Sequence, residues 1–219
     1  MSLTDKSKAS NSNNLRLSAH PESDKNLTIN NGWIQETEHQ FSDFFSPREP
    51  KENISLLVIH NISLPAGSFG GNHITDLFLG KLTTDAHPSF ADIAQLEVSA
   101  HCLIRRDGSI IQYVSFNNKA WHAGVSCFND REKCNDFSIG IELEGTDDVP
   151  YEEAQYRQLS RLTASLQQHY PLITNENIVG HCDIAPIRKT DPGPIFNWSY
   201  YRQMLQQQTL INNSTSYRK

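Results

Sequence analysis

Apolar residues along the chain form short runs whose lengths and spacings predict both strands and helices. The continuous apolar run at 55–60 (SLLVIH) has strand length and predicts a buried central strand. Residues 137–143 (FSIGIEL) alternate apolar with polar positions. This alternation predicts a second strand with an apolar face toward the core, and with Glu142 and Glu144 on its polar face.

Two further strands and two helices complete the predicted fold. Strands are predicted at 98–105 and 109–114, because the Asp-Gly pair at 107–108 between them favours a hairpin turn. Leucines at helical spacing predict a helix over 151–170, and a last helix is predicted over 198–207. The predicted fold class is α/β, with a central mixed β-sheet flanked by α-helices.

The ends of the chain differ in composition from its middle. Residues 1–26 are rich in Ser, Asn and Lys and contain no aromatic residue, which predicts a disordered N-terminal tail. We therefore expect one catalytic domain over 27–208 and a C-terminal tail over 209–219. No apolar leader and no run of about 18 apolar residues occurs, so we expect a cytoplasmic protein without membrane contact.

Charge and cysteine content restrict the possible partners. The 219 residues carry a net charge of −6 and contain no dense basic run, which argues against nucleic acid as a partner. The four cysteines form no CxxC pair, so neither a disulfide scaffold nor a four-cysteine zinc site is expected. Cys102 lies in an apolar run and is interpreted as a small buried hydrophobic residue.

Candidate metal ligands lie in two segments that are distant in sequence. His60 ends the first predicted strand, and the segment 180–194 (GHCDIAPIRKTDPGP) supplies His181, Asp183 and Asp191. Because this segment is rich in Pro, Gly and charge, we expect a loop and no helix. Two histidines and one carboxylate suit a catalytic zinc site with one open position. The alternatives are a hydrogen-bonded core histidine and Asp side chains that bond within their own loop.

Candidate catalytic groups accompany these ligands. A partly buried carboxylate on the polar face of the 137–143 strand has the raised pKa of a general base, but strand alternation alone cannot choose between Glu142 and Glu144. Lys189 precedes Asp191 by two residues and could stabilise an oxyanion near the metal. Exposed glutamates at a sheet edge and a solvated surface lysine are the alternatives.

Long motifs in a fixed order give the chain a specific resemblance. They are LLVIHNISLPAGSFGG at 56–71, DAHPSFADIAQLEVSAHCLIRRDGSIIQYV at 85–114, AWHAG at 120–124, CNDFSIGIELEGTD at 134–147 and GHCDIAPIRKTDPGP at 180–194. Through them the chain resembles, over about residues 30–205, the N-acetylmuramoyl-L-alanine amidase family. This family includes the anhydromuramoyl-L-alanine amidases of Gram-negative bacteria, phage endolysins and peptidoglycan-recognition proteins.

The resemblance implies a central mixed sheet, a zinc site in a groove and a role for each motif residue. The metal ligands of the family fall on His60, His181 and Asp191. The family's water-activating glutamate falls on Glu142 and its transition-state lysine on Lys189. The implied reaction is zinc-dependent hydrolysis of the amide between (1,6-anhydro)-N-acetylmuramic acid and L-alanine in peptidoglycan fragments, within cell-wall recycling.

The same motifs suggest residues that contact the substrate. Asn61, Trp121 and His122 are expected to line the groove, where Trp121 either stacks on a sugar or is a core tryptophan. The resemblance places Lys133 against the substrate's diaminopimelate carboxylate, without the bidentate fork of arginine. Glu97 stands where relatives often carry a basic residue, which argues against anion binding there.

Two other functions fit the same family. One is a peptidoglycan-binding module without turnover, which the complete set of ligands, Glu142 and Lys189 argues against. The other is an endolysin-type amidase acting on intact cell wall, against which stands the greater similarity to the anhydromuramoyl amidases. The expected partner is a small soluble muropeptide, and the protein is expected to be a monomer.

Overall fold

The two long apolar runs form the centre of a six-stranded sheet. The computed structural model describes residues 26–216, with side chains up to 212, so all but the last residue of the predicted tail at 1–26 lies outside the described residues. The strands are β1 (Ile29–Asn30), β2 (Trp33–Ile34), β3 (Glu38–His39), β4 (Phe45–Pro47), β5 (Leu56–Ile62), β6 (Cys102–Ile104), β7 (Ile110–Gln112), β8 (Asn118–Ala120), β9 (Cys127–Phe128), β10 (Arg131–Glu132), β11 (Ser138–Glu144) and β12 (Ile178–Gly180).

The main sheet is mixed, as predicted. Its strand order is β12-β5-β11-β6-β7-β3. The first four strands run parallel, β7 is antiparallel to β6, and β3 is parallel to β7. The β6–β7 hairpin turns at Gly108, whose φ of +85° is readily adopted by glycine. Both hairpin strands are shorter than the predicted ranges.

Helices cover both the apolar and the polar face of the sheet. They are α1 (His73–Phe78), α2 (Glu153–His169), α3 (His181–Ile184) and α4 (Trp198–Ser216). The long helix predicted over 151–170 is confirmed as α2, which begins with a capping box between Glu152 and Gln155. The last helix is longer than predicted, because α4 continues beyond residue 207. The domain boundaries at 27 and 208 stay predictions.

Along β5 and β11, side chains with odd residue numbers point to one face of the sheet, and those with even numbers point to the other. Odd positions such as Ile59 and Ile141 pack with the leucines of α2 and with α4 in the largest core cluster, which also contains the fully buried Cys102. Even positions such as Val58 pack with Phe137 and with Ile184 of α3 in a smaller cluster. His60 and Glu142 have the same parity as Val58, so both lie on the α3 side of the sheet.

The expectation that the segment 180–194 contains no helix is wrong for its first turn. Residues 181–184 form the short helix α3, because the prolines of the segment come only after this turn. The turn is capped by Asp183, whose Oδ2 accepts a hydrogen bond of 2.7 Å from the backbone N–H of Gly180. In the part of the chain that is described, no helix is long and apolar enough to cross a bilayer.

Candidate metal centre and active site

The three predicted ligands meet at one edge of the sheet. Nδ1 of His60, Nδ1 of His181 and Oδ2 of Asp191 lie 3.0 Å from one another in all three pairs. All three residues are buried, with exposed fractions of 1%, 2% and 9%. Segments more than a hundred residues apart therefore supply a single cluster of metal-binding atoms.

Sheet topology explains how the distant segments meet. β12 lies parallel to β5, so the carboxyl end of β12 delivers His181 beside the carboxyl end of β5, where His60 lies. The backbone N–H of Cys182 donates to the carbonyl of Asp191 over 3.0 Å, which returns the loop to the same edge. A side chain at Gly180 would collide with Pro192, because an added Cβ would lie 2.7 Å from its Cδ.

Hydrogen bonds, burial and neighbouring charges influence the protonation of all three predicted ligands. Nε2 of His181 lies 3.1 Å from the carbonyl oxygen of Ala123, and only a protonated nitrogen can donate to a carbonyl. The hydrogen-bond network thus leaves a lone pair on Nδ1 of His181. Burial raises the pKa of Asp191, but contacts with the two imidazoles outweigh it and hold this pKa well below its usual range. Burial lowers the pKa of His60 to about 4, which keeps the ring neutral.

These protonation states fit a divalent metal ion. With both imidazoles neutral, Nδ1 of His181 and the carboxylate oxygen of Asp191 carry no proton, so the three close contacts share at most one proton, on His60. A single proton cannot form a hydrogen bond in each of the three contacts. A cation placed among the three atoms would attract each of them. Two imidazole nitrogens and one carboxylate oxygen are also a donor set that zinc accepts with a further position open.

Glu142 lies beside the ligands with one oxygen unpaired. It is in register with His60 on the adjacent parallel strand, and its Oε1 lies 4.0 Å from Nδ1 of His60. Its Oε2 is buried and has no hydrogen-bond partner. Burial raises the pKa of Glu142 well above its usual range, the charge of Asp191 adds to this effect and Lys189 opposes it. The carboxylate is therefore free to accept a proton beside the metal site.

The structure separates the two glutamates between which strand alternation could not choose. Oε1 of Glu144 accepts a hydrogen bond of 2.6 Å from the backbone N–H of Gly70, and Oε2 accepts one of 3.1 Å from that of Arg106. Both oxygens of Glu144 are therefore engaged with loop backbone. Glu142 alone of the two faces the ligands, which supports it as the general base.

A cavity of about 540 Å³ opens beside the ligands. Lys189 and Asn61 line it together with Asp191, and Nδ2 of Asn61 donates to Oδ1 of Asp147 over 2.9 Å. Lys189 is partly buried, and its charge influences the pKa values of both His60 and Glu142. Asn61 and Lys189 thus lie in the cavity wall, and the substrate and catalytic roles expected of them stay predictions.

The other predicted substrate residues lie in different surroundings. Nε1 of Trp121 donates to Oγ of Ser46 over 3.0 Å, and its ring stacks on Phe44 at a centroid distance of 6.2 Å. One face of the indole is thus already covered by protein. Lys133 is exposed beside the β9–β10 hairpin, with a φ of +59°. Substrate contacts of Trp121 and Lys133 stay predictions.

His122 contacts the ring nitrogen of His60 that does not face the other two predicted ligands. Its Nδ1 lies 2.9 Å from Nε2 of His60, and its Nε2 lies 3.0 Å from Oγ of Ser138. Both ring nitrogens are thus engaged inside the protein. The structure thus shows a contact with His60, and the groove-lining role of His122 stays a prediction.

The carbonyl that orients His181 was not predicted from the sequence. Nη2 of Arg188 donates to the carbonyl oxygens of Ala123 and Val125 over 2.8 and 2.9 Å, which holds the Ala123 oxygen against His181. A backbone carbonyl leaves no trace in residue type. The nearest signal is Gly124, whose φ of +58° favours glycine in the turn between the two carbonyls.

Comparison with known proteins identifies the family of the chain. A family model described as N-acetylmuramoyl-L-alanine amidase matches residues 50–194. The 1,6-anhydro-N-acetylmuramyl-L-alanine amidase AmpD of Citrobacter freundii is 56% identical over 179 residues, which cover 82% of this chain and 95% of that protein. A selenomethionine AmpD crystal structure superposes with a TM-score of 0.80 at 56% identity, covering 82% of this chain and 99% of that one.

A more distant relative has been solved with a ligand. It is the amidase AmiD of Escherichia coli in complex with anhydro-N-acetylmuramic acid-L-Ala-D-γ-Glu-L-Lys, at 32% identity and a TM-score of 0.51, covering 72% of this chain and 60% of that one. The family resemblance drawn from the ordered motifs is thereby confirmed. By the extent of the family match and the identity to AmpD, this chain belongs to the N-acetylmuramoyl-L-alanine amidase family.

Proposed function

We propose that this protein hydrolyses the amide bond between (1,6-anhydro)-N-acetylmuramic acid and L-alanine in soluble peptidoglycan fragments, as a zinc enzyme of cell-wall recycling. The observation that carries the proposal is the unpartnered buried oxygen of Glu142 beside the cluster of His60, His181 and Asp191. The names of the AmpD relatives and the ligand in the AmiD complex support the substrate class.

Each residue of the centre has a part in the proposed reaction. His60, His181 and Asp191 would hold zinc, which supplies Lewis acidity and brings the pKa of a water molecule to about 7. Glu142 accepts a proton from the attacking water molecule while the oxygen of that water adds to the lactyl carbonyl carbon. Lys189 stabilises the negative charge on the carbonyl oxygen. Glu142 then passes the proton to the alanine nitrogen as the C–N bond breaks, which releases the sugar and the free peptide.

Turnover of a defined substrate tests this function. The purified protein is incubated with an anhydromuramoyl-tripeptide, and the products are separated by liquid chromatography and identified by mass spectrometry. We expect anhydromuramic acid and free peptide, loss of turnover after chelation, and recovery with zinc. Metal analysis of the same sample identifies the resident ion. Zinc-loaded protein that binds the muropeptide without cleaving it would establish a binding module.

A second substrate distinguishes the recycling amidase from an endolysin. Intact cell-wall sacculi are digested beside the soluble fragment at matched concentrations of muramoyl-alanine bonds. We expect the soluble fragment to be cleaved much faster, and faster cleavage of sacculi would favour the endolysin-type function. The cytoplasmic location and the monomeric state stay predictions from the sequence.

A further inference from the structure

His122 connects the metal ligand His60 to the interior of the protein through both of its ring nitrogens. We propose that His122 is a positioning residue of the metal centre, which accepts the Nε2 hydrogen of His60 and so keeps Nδ1 of His60 free for the cation. The inference rests on the proposed zinc centre and goes beyond the ligands and catalytic residues described above. It assigns no contact between His122 and the substrate.

The chemistry of an imidazole determines the direction of each hydrogen bond. A neutral imidazole carries one proton, so His60 can bind a cation through Nδ1 only with its proton on Nε2. Nδ1 of His122, 2.9 Å away, must then accept, which places the proton of His122 on Nε2. Oγ of Ser138 accepts that proton over 3.0 Å. A hydroxyl accepts as readily as it donates, so Ser138 suits the end of this chain.

This arrangement completes the proton count at the metal site. The carbonyl of Ala123 holds the proton of the neutral His181 ring on Nε2, and His122 holds that of His60 on Nε2. Neither Nδ1 then carries a proton. With the carboxylate of Asp191, three atoms without protons then face one another at 3.0 Å. Such a cluster is repulsive without a cation, and the two outer partners thus prepare the site to bind one.

The surrounding residues hold the His122 ring in place. Gly140 leaves the space that the ring occupies, since a Cβ there would lie 2.4 Å from Nδ1 of His122. The His122 ring meets that of His60 edge-on, at a centroid distance of 5.0 Å and an angle of 86°. Nη2 of Arg48 donates to the carbonyl of Ser138 over 2.7 Å, which fixes Ser138 at the far end of this chain of hydrogen bonds. A ring held this firmly can orient its neighbour.

His101 provides a matched comparison within the same core. It is fully buried, and its ring lies 5.7 Å from that of His122. Its Nδ1 accepts from the N–H of Gly140 and its Nε2 contacts the carbonyl of Asn118, both over 3.0 Å. Nε2 also lies 3.4 Å from Nη2 of Arg48, and none of these partners is a proposed metal ligand. Substitution of His101 therefore reports the cost of disturbing a buried histidine that has no hydrogen bond to a metal ligand.

Zinc affinity in substituted proteins tests the inference without reference to turnover. His122→Phe removes the acceptor, and we expect zinc affinity, measured by competition with a chromophoric chelator, to fall by roughly 10–100-fold. In His122→Asn the side-chain Oδ1 stands near the position of Nδ1 and still accepts, so we expect a loss of no more than about threefold. His101→Asn, the control, should bind zinc like the wild type.

A measurement on the wild-type protein covers the case in which His122→Phe does not fold. In the zinc-loaded protein labelled with ¹⁵N-histidine, long-range proton–nitrogen NMR spectra reveal which ring nitrogen carries the proton. We expect protons on Nε2 of both His60 and His122. A proton on Nδ1 of His122 in the zinc-loaded protein overturns the inference.

Three affinity results would also overturn it. These are wild-type affinity in folded His122→Phe, an equal loss in His122→Asn, and the same loss in His101→Asn, because the last two would reflect packing and not the acceptor. Wild-type protein that binds no zinc would refute the proposed metal centre and this inference together. If the wild type binds zinc and His122→Phe binds it equally well, only the inference fails.

Discussion

Glu142 and Glu144 lie two positions apart on the same strand, and both are buried, yet their surroundings are opposite. Both oxygens of Glu144 accept backbone hydrogen bonds from loops that border the sheet. Glu142 has a buried oxygen with no partner and lies beside three metal-binding groups. A satisfied buried carboxylate stabilises the fold, whereas an unsatisfied one costs stability and stays available for chemistry. The difference indicates a structural role for Glu144 and supports the proposed catalytic role of Glu142.

Replacement of Glu142 should have the largest effect on rate. Glu142→Gln keeps the shape of the side chain but cannot accept the proton, so we expect kcat to fall by roughly 10²–10⁴-fold. Zinc content should stay at the wild-type level. Steady-state kinetics on an anhydromuropeptide and metal analysis of the same preparation measure both quantities.

The control for this variant is the loss of a ligand. Asp191→Ala removes one of the three metal-binding atoms, so zinc affinity should fall while the remainder of the fold is retained. If Glu142→Gln and Asp191→Ala lost zinc equally, Glu142 would have to be reassigned as a ligand.

Lys189, like Glu142, is a proposed catalytic residue. Lys189→Met removes the cation from the cavity wall, and we expect kcat to fall by roughly 10²–10³-fold at unchanged zinc affinity. Lys189→Arg retains the charge and should recover part of the rate. Unchanged kcat in Lys189→Met would show that this lysine is a solvated surface charge.

Replacement of Glu144 is expected to lower stability and to leave kcat nearly unchanged. In Glu144→Gln one of the two backbone N–H donors faces an NH2 group in place of an acceptor, so the free energy of unfolding should fall by about 1–3 kcal/mol. The kcat of the folded protein should stay near that of the wild type. Chemical denaturation of both proteins provides the measurement.

A glutamate in an exposed ion pair serves as the control for Glu144→Gln. The side chain of Glu153 is 52% exposed and pairs with Arg157 one helical turn away. Glu153→Gln should change the free energy of unfolding by no more than about 0.5 kcal/mol. An equal effect at Glu153 and Glu144 would contradict the role of Glu144 in holding the loops.

The last expected effect concerns how the stability of the metal-free protein depends on pH. Burial raises the pKa of Glu142 in the folded state, so the folded chain holds this proton more tightly than the unfolded chain. Stability therefore falls as the pH rises above the ordinary value of 4.5 toward the raised pKa. Metal-free Glu142→Gln should lack this part of the decline. Unfolding in a chelating buffer at about pH 5 and about pH 8 tests it, and parallel curves for both proteins would contradict it.

Local patterns were sufficient for the centre of the main sheet and for the two long helices, but they did not reveal α1 or the short strands β1–β4 and β8–β10. The apolar run at 55–60, the alternation at 137–143 and the leucine spacing of the long helix all gave elements that the structure contains. They succeed because burial of one face imposes a period that is readable along the chain. The helix α3 was missed because a single turn carries no period. The end of α4 was misplaced because Leu210 and Ile211, the apolar residues beyond 207, are exposed and do not continue its buried face.

The sequence by itself determined the types of chemistry available: two histidines, one aspartate, a glutamate and a lysine within motifs typical of the amidase family. The resemblance already placed the water-activating role on Glu142, but only the tertiary structure decided which oxygens have partners and so gave the physical difference between Glu142 and Glu144. It also placed His122 against His60 and the carbonyl of Ala123 against His181. The physical reason is that hydrogen-bond satisfaction depends on atoms from distant segments, whose meeting is set by strand order and not by local pattern.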